Sequence, residues 1–163
     1  MARCRGGAGS TPAFFGGTRF KLDEQRFVAP ARFASIADIE EFVLRAARLA
    51  GLDEEALFHV ELAVDEACTN IVEHAYGGEG NDQIEVACGT RVVEGTGYFI
   101  VRLRDQGKPF DPDVILPPRP TSNVEALQVG GLGIHFMRKS MDRIEFQFGE
   151  GGNELVMYKR LIR

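Results

Sequence analysis

No stretch of this chain carries the run of about eighteen apolar residues that a membrane span needs, and the opening "MARCRGGAGSTPAFFGG" lacks the apolar core of a secretory signal. A soluble, cytoplasmic protein is expected. Cysteine is scarce: Cys4, Cys68 and Cys88 are odd in number and far apart, which argues against a disulfide framework and offers no zinc-ligand spacing. A concentrated basic face is also missing. With 19 Lys and Arg against 24 Asp and Glu, the formal net charge is −5, so the phosphate neutralisation that nucleic-acid binding requires has no support and protein partners are expected. No internal repeat is visible.

What is present fits one globular domain: 163 residues, 44% hydrophobic and 26% charged. The glycine-rich, basic opening has no acidic residue before Asp23, and residues 1–17 are expected to form a flexible arm apart from a domain over 18–163. "TRFKLDEQRFVAP" reads as a strand ending at Pro30. Ser35, with Asp38 three residues on, predicts a capped helix carrying Ile36, Ile39, Phe42, Val43, Ala46 and Leu49 and ended by Gly51. Asp53 caps a second helix, whose Leu57, Val60, Val64, Ala67, Cys68, Ile71 and Ala75 recur at three- and four-residue spacing until "YGGEG". "QIEVACGTRVV" and "GYFIVRLRD" alternate around "EGTG" as a hairpin, and "RIEFQFG" with "ELVMYKRL" make another around "EGGN". Between lies Lys108 to Val129, with five prolines and no periodicity, the pattern of a lid or binding loop; a helix is expected from near Gly131. Helices over one mixed, largely antiparallel sheet follow, a two-layer α/β sandwich.

Three stretches carry chemistry. In "DEACTNIVEHAY", Glu66 and Asn70 fall opposite the apolar stripe and stack one turn apart, so a carboxylate and an amide oxygen can address one site. Taken alone, they read more readily as a solvated helix face. In "DQGKPFDP", Asp105 directly follows a strand, and Gly107 lets the backbone come close to whatever Asp105 holds; a plain strand-end turn uses the same residues. "GGLGIHF" puts Gly130, Gly131 and Gly133 near a helix start, where unpaired N–H groups attract phosphate, although a glycine hinge would look the same. The Lys and Ser/Thr of a Walker motif are missing, and no strand precedes it as in a dinucleotide fingerprint.

Taken in order around a proline-rich lid, "DEACTNIVEHAY", "DQGKPFDP" and "GGLGIHF" resemble the nucleotide boxes of the GHKL ATPase superfamily. The "EACTN" and "PFDP" variants resemble its anti-sigma factor serine/threonine kinases, from Phe20 to the C-terminus. The resemblance implies a Bergerat fold with ATP between helices and sheet. It also implies that Asn70 ligates Mg²⁺, Glu66 is the general base, Asp105 accepts the adenine amino group, Gly107 admits the base, and Gly131 and Gly133 wrap the phosphates. The implied partner is a STAS-type anti-anti-sigma protein; sequestration of a sigma factor and homodimerisation are left open. The alternative is an ATP-regulated switch that captures partners without phosphorylating them. Relatives place a Thr after the glycine of the last hairpin turn to help hold adenine, whereas Asn153 and Glu154 follow Gly152 here. Only Arg119 is cationic between Lys108 and Arg138 in the lid, so no residue is named for the γ-phosphate, and His74 is expected beside the site rather than in it.

Overall fold

The computed structural model describes residues 24–109 and 129–162. The arm, the start of the first expected strand and nearly all of the proline-rich lid, Arg119 included, lie outside the described residues. Strand β1 (Gln25–Pro30) leads through a 3-10 turn (Phe33–Ser35) into helices α1 (Ile36–Ala50) and α2 (Glu54–Asn70). The chain continues through a π-helical turn (Ile71–Ala75), strands β2 (Gln83–Val93) and β3 (Thr96–Asp105), helix α3 (Val129–Ser140), and strands β4 (Arg143–Gly149) and β5 (Gly152–Arg160).

The sheet order is β1-β2-β3-β5-β4. Every adjacent pair is antiparallel, so the sheet expected to be mixed and mostly antiparallel is antiparallel in all its pairings. The chain leaves β3, crosses through α3 to the far edge at β4, and returns as β5 beside β3. That return matters for function, because it sets Asn153 directly opposite Asp105.

Alternation sorts the strands. Phe99, Val101 and Leu103 of β3, Ile84 and Val86 of β2 and Met157 of β5 are buried in one cluster with the helices. Ile39 and Val43 of α1, Val60 and Val64 of α2 and Met137 of α3 complete that core, and each is fully enclosed. A buried side chain of this size stabilises the fold by about 1.5–3 kcal/mol. α2 packs against both α1 and α3, which makes it the central helix of the layer. On the other sheet face, Ile100, Val156 and Tyr158 form a small cluster, with the Arg143 guanidinium 5.2 Å above the Tyr158 ring. Among the described residues no helix is long and apolar enough to cross a membrane.

Element ends follow their local chemistry. Asp53 is extended (φ −77°, ψ 172°) and its Oδ1 accepts from Ala56 N–H at 2.8 Å, the expected cap of α2. Gly51 ends α1 at φ 91°, as glycine can. The expected Ser35 cap is not formed. Ser35 has helical backbone (φ −83°, ψ −14°) and belongs to the 3-10 turn, whose own carbonyls accept the Ser35 and Ile36 N–H groups, so the extended geometry that a capping side chain needs is never adopted. The β2–β3 turn is also tighter than expected. Glu94 (φ 50°) and Gly95 (φ 81°) alone make the reversal, a two-residue turn matched to strand twist, and Thr96 and Gly97 already belong to β3.

Candidate functional site

α2 does not end at Asn70 as a regular helix. The next residues widen into a π-helical turn in which Tyr76 N–H bonds Ile71 C=O at 3.0 Å, an irregularity that recurs at functional sites. The end of this turn is fastened to the strand end that carries Asp105. Tyr76 donates its hydroxyl proton to Gln83 C=O at 2.7 Å and accepts from Gln106 N–H at 2.8 Å. Lys108 N–H bonds Ala75 C=O at 2.7 Å, and a β-carbon on Gly107 would lie 2.5 Å from the Ala75 carbonyl. Glycine at 107 is therefore required by the crossing of two backbones, whatever else it admits.

A cleft opens beside this junction. It encloses about 330 Å³ with its mouth included, and Asn70, Asp105, Asn153 and Glu154 supply its polar groups between walls from Ala67, Ile71, Met137, Phe146, Phe148 and Leu155. The volume is at the lower end of small-molecule sites, and a mostly apolar slot with a few convergent polar atoms is the form such sites take. The Phe146 and Phe148 rings lie parallel within 12°, centroids 6.2 Å apart.

Asp105 is 6% exposed, and its Oδ1 accepts from two donors, Gly107 N–H at 2.8 Å and Asn153 Nδ2 at 2.7 Å. Burial pushes its pKa up, and the bonds from Asn153 and Gly107 oppose that shift. Asn70 is half-buried, and among the described residues its enclosed amide nitrogen has no hydrogen-bond partner. An amide that the protein leaves unmatched at the cleft suits a ligand role, and a single neutral oxygen beside phosphates is a fitting contribution to Mg²⁺. Among the described residues no three His, Cys, Asp or Glu side chains gather as a metal cage.

Glu66 stands one turn back from Asn70 on α2. It is half-buried rather than on an open face, because α3 docks over it: a β-carbon on Gly133 would overlap Glu66 Oε2 and lie 3.5 Å from Asn70 Nδ2. Burial raises the Glu66 pKa, with the charges of Asp65 and Glu73 adding to the shift. A carboxylate held less acidic than usual is suited to taking a proton. Gly131 and Gly133 both lie within α3, and the contacts of Gly131 fall outside the described residues. His74 is half-exposed on the π-helical turn, with Nε2 3.9 Å from the Glu73 carboxylate, and does not line the cleft.

The structure thus brings Asn70 and Asp105 into one cleft; Glu66 does not line it and stands one turn back from Asn70, against Gly133 of α3. Sequence reasoning missed the Phe146 and Phe148 wall, the Tyr76 fastening and the part played by Asn153. The aromatic wall had a signal, since strict alternation in β4 puts both rings on the helix-facing side.

Comparison with known proteins supplies an independent line. The histidine kinase-like ATPase domain family matches residues 29–159. A serine-protein kinase RsbW of Bacillus velezensis is 38% identical over 96 residues, which is 56% of this chain and 58% of that protein. Its counterpart in Bacillus subtilis is 34% identical over 105 residues, 62% and 63% of the two chains. The chain therefore spans between 58% and 63% of the length of the Bacillus relatives it matches. Among solved structures, the RsbU and RsbW domains of a Mycobacterium tuberculosis protein superpose with a TM-score of 0.61 at 17% identity, covering 87% of this chain and 33% of that one, which shows a shared fold.

Proposed function

The chain belongs to the histidine kinase-like ATPase domain family, and from that premise we propose that it is an ATP-dependent serine/threonine protein kinase of the anti-sigma factor type. Its substrate is a serine of a small anti-anti-sigma (STAS) protein, its cofactor Mg²⁺ and its compartment the cytoplasm. The observation that carries this reading is the convergence of Asn70 and Asp105 on one cleft, with Glu66 one turn back from Asn70 on α2. The relatives named as serine-protein kinases supply the substrate class.

In this reading each residue has a separate task. Asp105 accepts a hydrogen bond from the adenine amino group, and the apolar walls of the cleft hold the flat base. The Asn70 amide oxygen would hold Mg²⁺, which when bound offsets the charge of the phosphates. Glu66 takes the proton from the substrate serine hydroxyl while its oxygen accepts the γ-phosphoryl group and ADP leaves. Transfer of this kind depends on position and charge neutralisation more than on covalent help, so one well-placed base is a sufficient protein contribution.

Incubation of the purified protein with Mg-ATP and candidate STAS proteins, followed by intact-mass measurement, tests the proposal. The expected result is one added phosphoryl group on the partner serine. A partner that binds tightly and gains no phosphate would replace the kinase with an ATP-regulated binding protein.

A further inference from the structure

We propose that Asn153 is a positioning residue that sets the base selectivity of the cleft by fixing which oxygen of Asp105 is left for the ligand. The inference rests on the nucleotide reading of Asp105 above.

The β3–β5 register sets Asn153 across from Asp105, and both are buried, at 4% and 6% exposure. Asn153 Nδ2 lies 2.7 Å from Asp105 Oδ1, 3.1 Å from Gly107 C=O and 3.3 Å from Lys108 C=O. All three neighbours are acceptors. Rotating the amide would set its oxygen against a carboxylate and two carbonyls, so the orientation is fixed by chemistry rather than by fit alone. One N–H serves Asp105, and the other is shared between the two carbonyls of the turn.

This arrangement has two results. Gly107 N–H also donates to Asp105 Oδ1, so both donors fall on one oxygen, and among the described residues Oδ2 has none. The carboxylate is thereby turned with one satisfied oxygen and one spare. Asn153 itself lines the cleft, and with its amino group engaged it has only an acceptor oxygen left to offer. The Asp105 and Asn153 end of the cleft therefore reads donors. A purine carrying an exocyclic amino group satisfies it; a purine with hydrogen at that position leaves Oδ2 unmatched, and one with a carbonyl opposes it. The carboxylate supplies the hydrogen bond, and Asn153 supplies its direction.

The test measures calorimetric affinities of ATP and of purine riboside triphosphate, which lacks the amino group, for the wild type, Asn153→Leu and Asn153→Ser, each first checked for folding by thermal melting. The wild type is expected to prefer ATP by about tenfold or more. Asn153→Leu should reduce that preference to within about twofold by weakening ATP far more than the analogue, and Asn153→Ser, with one shorter donor, should fall between. A purely structural role would weaken both nucleotides equally, so an unchanged ratio in a folded variant overturns the inference while leaving the role of Asp105 intact. If Asn153→Leu does not fold, a Ser variant with the full wild-type ratio overturns it. A wild type that does not discriminate between the two nucleotides removes the reading of Asp105 and this inference with it.

Discussion

Gly133 of α3 and Glu66 of α2 are in contact so close that a β-carbon on the glycine would overlap the Oε2 atom of the carboxylate. The obstacle would meet the far end of a flexible side chain, so Gly133→Ala should be tolerated by the fold and should act by turning Glu66 aside. Alanine also favours a helix over glycine, which offsets part of any packing loss. The expected outcome is a melting temperature within a few degrees of wild type and phosphate transfer at saturating Mg-ATP slowed by about tenfold or more, since a misplaced base loses most of its contribution. Equal transfer rates in the two proteins would show that the contact does not position Glu66.

The selectivity of the cleft can be tested at Asp105 directly. Guanine presents an acceptor where adenine presents its amino group, so ATP should bind more tightly than GTP. Asp105→Ala removes a charge-assisted hydrogen bond of about 1.5–3 kcal/mol, or roughly 10- to 150-fold in ATP affinity. Calorimetry on both nucleotides measures this, and equal affinities in the wild type would remove the assignment.

The difference between what could and could not be read in the chain lies in how far apart the interacting residues are. The Asp53 cap, the apolar stripe of α2 and the two hairpins depend on residues within a few positions of one another, and they appear as expected. The stacking of Glu66 with Asn70 is of the same kind. That Glu66 is half-buried depends instead on α3 docking across α2, which no local pattern encodes. The bond from Asn153 to Asp105 spans 48 positions and exists only because β5 returns beside β3 in one register, so a residue that looked like a lost adenine contact proved to hold the carboxylate in place. Ser35 failed for the opposite reason: its local signature was right, but the 3-10 turn holds it in helical backbone, from which the side chain does not cap α1.

Asn70 makes a prediction about metal dependence. Its enclosed amide nitrogen has no partner among the described residues, and its oxygen is the neutral ligand expected of a shared Mg²⁺ site. Asn70→Ala should weaken binding of Mg-ATP while binding of metal-free ATP, measured in chelator, changes little. If affinity falls equally with and without Mg²⁺, Asn70 has a packing role instead.

Tyr76 tests whether the strand end and the helix end act as a unit. Its hydroxyl joins Gln83 C=O to Gln106 N–H, next to Asp105. Tyr76→Phe keeps the ring and removes both bonds, so unfolding free energy should fall by about 1–3 kcal/mol in urea denaturation. Because the freed Gln106 adjoins Asp105, ATP affinity should fall as well. A variant that is destabilised but binds ATP normally would show that the fastening supports the fold alone.

Glu66→Gln separates chemistry from binding, and the raised pKa of Glu66 gives the test a second axis. Glutamine keeps size and hydrogen bonding and cannot accept the serine proton, so Mg-ATP and partner affinities should survive while transfer slows by at least about 10²-fold. In the wild type the base works only when ionised, and burial with the charges of Asp65 and Glu73 holds its pKa above the ordinary glutamate value. Transfer rate should therefore rise with pH through that raised pKa, and the residual rate of the variant should lack this limb. Stability moves the other way. A carboxyl that binds its proton more tightly folded than unfolded stabilises the protein fully below the unfolded pKa, and this contribution is lost as pH rises through the folded value. Glu66→Gln removes the titration, so the variant should gain stability relative to wild type on going from about pH 4 to pH 7.5, read as a widening gap in urea midpoints. A gap that stays constant, with identical pH–rate profiles for the two proteins, would place the base elsewhere in the site.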